Sequence, residues 1–114
     1  MKTTVKAKVL RIYLDEKLKS GNQLLYRAIV EKWLALKMNG ATVFKAIEGF
    51  GASAHIHDAS ILEVSENLPV VIELIDAEPR VLKALKAVEP LLPDHCLVTL
   101  QKVKAIHYQH YKKK

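Results

Sequence analysis

Residues 4–14 read TVKAKVLRIYL, and the way their apolar side chains fall decides the fold. Val5, Ala7 and Val9 alternate with Lys6 and Lys8, which is the two-residue period of a β-strand. From Leu10 onward the pattern changes. Leu10, Ile12 and Leu14 fall on the side that Lys6 and Lys8 occupy, so the second half of the strand is apolar on both faces. A strand with that pattern lies inside a sheet and is covered on both sides.

The segments that follow can supply that cover. SGNQLLYRAIVEKWLALKMNG (20–40) reads as a helix, with Leu25, Ile29, Trp33 and Leu36 on one stripe and Arg27, Glu31 and Lys37 on other bearings. Ser20 followed by Gln23 fits a capping box, and Asn39 with Gly40 supplies a left-handed stop. ATVFKAIEGF (41–50) is a second strand. SILEVSENLPVVIELIDA (60–77) is a third extended region, a nearly continuous apolar run from Val70 to Ile75 broken only by Glu73, with Pro69 marking an irregularity or an edge. Asp76 is placed to cap a second helix with Glu78 and Pro79 in its first turn and Val81, Leu82, Leu85 and Val88 as its stripe. Pro90 and Pro93 end that helix, and HCLVTLQKVKAIHY (95–108) is a last strand.

The order strand, helix, strand, strand, helix, strand predicts an α+β, ferredoxin-like βαββαβ fold: a four-stranded antiparallel sheet with two helices on one face. Residues 1–114 read as one such domain, with 108–114 as a frayed basic tail. The face away from the helices would expose apolar residues of the first and third strands, which predicts a closed homo-oligomer with sheets turned inward.

The 114 residues are half apolar and 26% charged, with 18 Lys and Arg against 12 Asp and Glu, a formal net charge of +6. Three of the positive charges are Lys112, Lys113 and Lys114, and the others alternate with acids, the pattern of a solubilising surface. A single cysteine, Cys96, makes reduced cytoplasm the default compartment. The basic amino end lacks the apolar stretch of a signal peptide, and no run approaches eighteen apolar residues, so neither export nor a membrane span is expected.

The chemistry concentrates in AIEGFGASAHIHDASIL (46–62). Gly49 and Gly51 flank Phe50, and their N–H groups could converge on an anion with Ser53, His55 and His57 as side-chain donors. The same glycines serve a strand end that must bend sharply. RNA recognition is not expected. Its motif needs a base and further aromatics where Glu48, Ala52 and His55 stand, and belongs in the third strand rather than at the end of the second. No metal site is expected either, since His55 and His57 with Asp58 fall short of four ligands or a helical pair. An enzyme would have to draw on Glu48, Ser53, His55, His57 and Asp58, with no third group placed to orient a histidine.

GATVFKAIEGFG, followed by LPVVIELID and a short second helix, resembles the nitrogen-regulatory PII superfamily, which carries Gly-Phe-Gly at the base of its mobile loop. The string IEGFGASAHIHDASILEVSENLPVVIELID is similar to the PII-like family long catalogued as a domain of unknown function, and the resemblance covers residues from about 8 to 107. It implies a cytoplasmic homotrimer that binds a small ligand, an adenine nucleotide (ATP, ADP or AMP) or another anion, in clefts between subunits. Such a trimer regulates a partner protein, transporters and enzymes being the usual targets in PII, and is not itself an enzyme.

The ligand-binding residues it suggests are Gly49, Phe50, Gly51, Ser53, His55, His57, Lys104 and His107. The departures are as informative. PII's arginine and glutamine after Gly-Phe-Gly are Ala52 and Ser53, its glycine-rich phosphate loop is replaced by LLPDHCLV, and its paired arginines fall at Ala105 and His107. Lys102 and Lys104 are left either as partial replacements for that charge or as a solvated strand edge. The alternatives are a metal-binding, CutA-like trimer and a small enzyme, both resting on His55 and His57.

Overall fold

The strand that opens the chain becomes the centre of the sheet. In the computed structural model, which describes residues 1–50 and 68–109, β1 (Lys2–Asp15) is followed by the short strands β2 (Lys19–Ser20) and β3 (Gln23–Leu24), then α1 (Leu25–Ala35) and β4 (Ala41–Lys45). After them come β5 (Pro69–Ala77), α2 (Glu78–Val88), a 3-10 turn (Glu89–Leu91) and β6 (Leu97–Tyr108). The main sheet has the order β4-β5-β1-β6, every pair antiparallel, and β2 with β3 is a separate hairpin. This is the expected α+β, ferredoxin-like arrangement with both crossover helices on one face.

Register explains the two-sided pattern of β1. Leu10, Ile12 and Leu14 share a face with Val70, Ile72 and Leu74 of β5, and against them pack Leu25, Ile29 and Trp33 of α1 with Val81, Ala84 and Val88 of α2. The Trp33 indole N–H donates to the carbonyl of Ala84 at 3.0 Å, so the largest buried side chain also ties the two helices together. On the opposite face Ala7 and Val9 are buried between β5 and β6, while Tyr13, Phe44, Ile75 and Leu97 are exposed around them. That face is not uniformly apolar. At its middle the Arg11 guanidinium donates to Glu73 at 2.9 Å and to Gln101 at 3.3 Å, a polar bridge across three strands.

Three local expectations change. Ser20 does not cap α1: it lies in the β2–β3 hairpin, whose two-residue loop puts Gly21 (φ 63°) where a type II′ turn requires a positive φ. The helix begins only at Leu25, and Gln23 instead donates to Glu31 at 2.7 Å. The stop of α1 is not Asn39-Gly40 but Lys37, at φ 60°, with its N–H on the carbonyl of Leu34 and the Met38 N–H on that of Trp33, the paired bonds of a Schellman motif. Asp76 is not the cap residue of α2, a place taken by Ala77.

Candidate functional site

β1 and β6 outrun the rest of the sheet. β5 pairs with β1 only from Ala7 to Asp15, whereas β6 pairs from Lys2 to Tyr13, leaving Lys2–Lys6 and Lys104–Tyr108 as a two-stranded ribbon. Met1 and Gln109 close its tip with two bonds, the terminal ammonium on the Gln109 carbonyl at 2.9 Å and the Gln109 N–H on the Met1 carbonyl at 2.8 Å. Beside the ribbon lies an open groove of about 370 Å³ lined by Val5, Thr42, Glu73, Ile75, Ala105 and His107, among others.

The α1–β4 turn forms the other wall of the groove. Asp76, 7% exposed, holds that turn in place: it accepts the Asn39 backbone N–H (3.4 Å), the Asn39 amide (3.3 Å), the Ala77 N–H (2.8 Å) and the Arg80 guanidinium (3.0 Å). Arg80 in turn donates to the carbonyl of Lys37 at 2.7 Å. Burial pushes the Asp76 carboxyl up, but the Ala77 N–H, the Arg80 guanidinium and the Asn39 N–H outweigh it and hold the group below the usual carboxylate range. The groove carries two carboxylates, Glu73 and Asp76, each with an arginine partner, and no Lys or Arg among its described lining residues. Two carboxylates and no described cation in the lining make it a poor site for a phosphate.

Of the residues singled out in the sequence, Gly51, Ser53, His55 and His57 lie outside the described residues, and with them the ligands on which a metal site or a histidine enzyme would depend. Gly49 and Phe50 sit at the other end of the sheet from the ribbon. The Ala46 N–H donates to the Pro69 carbonyl at 2.9 Å as the chain leaves β4, and Gly49 adopts φ 153°, where a Cβ would meet the Pro69 ring at 3.3 Å. Only glycine tolerates that combination, so the bend is one reason for this residue. Phe50 is 71% exposed.

Lys104 and His107 are both on the ribbon, opposite Lys6 and Thr3, but three residues apart on a strand they face opposite ways. His107 lines the groove and Lys104 turns to the helix side. Pro69–Ala77 is nine residues long, roughly 27 Å of strand from end to end. Within one chain, then, Gly49 and Phe50 are not brought together with Lys104 or His107. The polar bridge of Arg11, Glu73 and Gln101 and the Asp76 clamp were not anticipated. Glu73, the sole interruption of an apolar run, was the signal available for the first.

Cys96 is half-buried and burial pushes its thiol up, the behaviour of an unreactive residue. Among the described residues no group of three or more His, Cys, Asp and Glu gathers as metal ligands do, and no helix is long and apolar enough to cross a membrane.

Known proteins are similar to this chain, some in sequence and others in fold. A UPF0166 protein of Aquifex aeolicus (strain VF5) is 32% identical over 103 residues, 90% of this chain and 96% of that protein. A UPF0166 protein of Methanocaldococcus jannaschii is 33% identical over 96 residues, 84% of this chain and 88% of that one. Among solved structures, CPII from Thiomonas intermedia K12, a nitrogen regulatory PII-like protein bound to ADP, AMP and bicarbonate, superposes with a TM-score of 0.62 at 15% identity, covering 90% of this chain and 96% of CPII. Residues 7–105 match the DUF190 family, described as an uncharacterized ACR, and with that span and those relatives the chain belongs to this family, whose structural neighbours are PII-like proteins.

Proposed function

We propose that the chain is a PII-like regulator: a homotrimer whose open sheet faces turn inward and whose inter-subunit clefts bind a small ligand, with AMP, ADP or ATP as the first candidates. The observation that carries the reading is the separation just described. The Gly49–Phe50 bend and the ribbon bearing His107 stand at opposite ends of one sheet, so a cleft built from both forms only between copies. The exposed apolar rim of Tyr13, Phe44, Ile75 and Leu97 gives the copies a surface to bury, and the Arg11–Glu73 pair at its centre favours one alignment of the sheets over others.

The fold likeness to a protein holding ADP, AMP and bicarbonate supports an adenine nucleotide as ligand. Because the groove of a single copy carries carboxylates and no lysine or arginine among its described lining residues, phosphate charge would be met by a neighbouring copy, and the less charged AMP and ADP are favoured over ATP. Ligand and target protein are coupled if both stabilise one conformation of the cleft, the difference in affinity between two states being what a regulator transmits. A protein target such as a transporter or an enzyme, rather than a substrate, is the expected partner.

Sedimentation measures the mass directly: three times 12.8 kDa is expected at micromolar concentration. Calorimetry against AMP, ADP and ATP, each with and without bicarbonate, is expected to give heat for at least one nucleotide, weakened about tenfold by His107→Ala if the imidazole contacts it. A monomer, or an intact trimer silent to the whole panel, overturns the reading.

A further inference from the structure

The helix-side face of the ribbon has a different character from the groove. Lys6 of β1 stands directly opposite Lys104 of β6, and Lys8 directly opposite Lys102, so two successive rungs of one face pair ammonium with ammonium. Like charges directly opposite one another destabilise a strand pair, and nothing in sheet geometry requires lysine at any of the four positions. Only Lys8 has a carboxylate partner among the described residues, Glu78 at 3.1 Å in the first turn of α2; Lys6, Lys102 and Lys104 are exposed and make no ion pair there. β5 ends at Ala77, opposite Ala7, so among the described residues no third strand extends alongside the Lys6–Lys104 rung, whereas Lys8 has Asp76 of β5 on its other side, a carboxylate already engaged by Arg80.

We propose that this lysine ladder is an anion site for a compact polyphosphate, either a free one or the phosphate tail of a nucleotide. Facing side chains of a rung start about 5 Å apart and the rungs are spaced by about 7 Å, so the three lysines unpaired among the described residues, Lys6, Lys102 and Lys104, with Lys8 held by Glu78 beside them, fall within an area that a chain of two or three phosphates covers. A bound polyanion converts the repulsion between rungs into attraction, whereas a single monovalent ion leaves most of it. The patch is two rungs long, shorter than the footprint of at least about four nucleotides over which single strands are bound, which favours a small ligand. The site is complete in one chain and does not rest on the trimer; it adjoins the groove at Asp76 and Ile106, while His107 faces the other side of the ribbon.

The test compares the full chain with Lys6→Gln/Lys104→Gln and with Lys104→Glu by thermal unfolding and calorimetry, using tripolyphosphate, ATP, AMP and sodium chloride at matched ionic strength. Tripolyphosphate is expected to raise the midpoint of the unaltered protein beyond what sodium chloride does, and its affinity is expected to fall by about three- to tenfold for each lysine removed. Lys104→Glu makes the Lys6 rung attractive, so it is expected to melt higher than the unaltered protein without any anion and to lose the response to tripolyphosphate. His107→Ala, which separates this site from the proposed cleft, is expected to keep that response. ATP matching tripolyphosphate while AMP fails identifies a nucleotide tail as sufficient; tripolyphosphate alone identifies a free polyphosphate. Equal stabilisation by sodium chloride, an unchanged affinity in the double variant, or tighter binding of a single-stranded oligonucleotide than of tripolyphosphate overturns the proposal.

Discussion

β1 is two strands in one. Its second half, Leu10 to Leu14, has β5 on one side, β6 on the other and both helices on its inner face, and those alternate side chains are buried to 4% exposure or less. Its first half, Lys2 to Lys6, has β6 alone and no buried residue. Backbone pairing is equally regular in both. The difference lies in what the register leaves available to pack, since a ladder of hydrogen bonds contributes little net stability until apolar surface is removed from water along with it. The covered half sets the stability of the fold, and the uncovered half is left exposed.

The largest test of that contrast removes the centre of the covered half. Trp33→Ala deletes a side chain that is 1% exposed and its bond to Ala84, and is expected to cost about 4 kcal/mol in denaturant unfolding. Trp33→Phe keeps most of the volume and separates the lost hydrogen bond at about 1 kcal/mol. Tyr108→Ala in the ribbon, 67% exposed, is expected to stay within about 0.5 kcal/mol of the unaltered protein. Comparable costs at the two positions would abolish the distinction between the halves.

Between these extremes is Asp76, at the boundary where β5 stops and the ribbon begins. Its carboxyl is held below its unfolded value, so its contribution is fully present above that value, near pH 4, and is lost as pH falls through the folded pKa. Asp76→Asn is expected to lower stability at pH 7 by about 2 kcal/mol and to flatten the loss of stability below pH 4. An unchanged acid limb in Asp76→Asn would assign acid sensitivity to other carboxylates.

How far the sequence discloses this molecule follows the same division. The alternation of residues 5–14 and the stripes of Leu25, Ile29 and Trp33 and of Val81 and Val88 foretell the sheet, the helices and their shared face, because burial acts on side chains at a fixed period. Helix ends are harder to read. SGNQ offers a capping box and a hairpin turn with the same residues, and packing of Leu25 chooses the turn. The candidate site is the least legible part, because it depends on register: Lys6 and Lys104 are 98 positions apart, and only the β1–β6 pairing shows that they face each other while His107 looks the other way. The sequence marks Gly49 as a bend or an anion cradle; the positive φ and the approach to Pro69 account for the bend alone.

The smallest expected effect tests whether the α1–β4 turn is shaped by its own residues or by the clamp that holds it. Lys37 occupies a left-handed conformation that disfavours any side chain, yet its N–H and that of Met38 satisfy two of the last carbonyls of α1. Lys37→Gly relieves the strain in the folded state while adding freedom to the unfolded one, and positions of this kind usually gain. A gain of about 0.5–1 kcal/mol is expected from denaturant unfolding, with the Arg80 bond to the Lys37 carbonyl intact because it uses backbone alone. In an Asp76→Asn background Arg80 is less firmly held, and a smaller gain from Lys37→Gly would mean that the conformation of the turn is imposed by the clamp. An equal gain in both backgrounds assigns it to the helix end itself, and the groove wall then stands independently of the buried carboxylate beneath it.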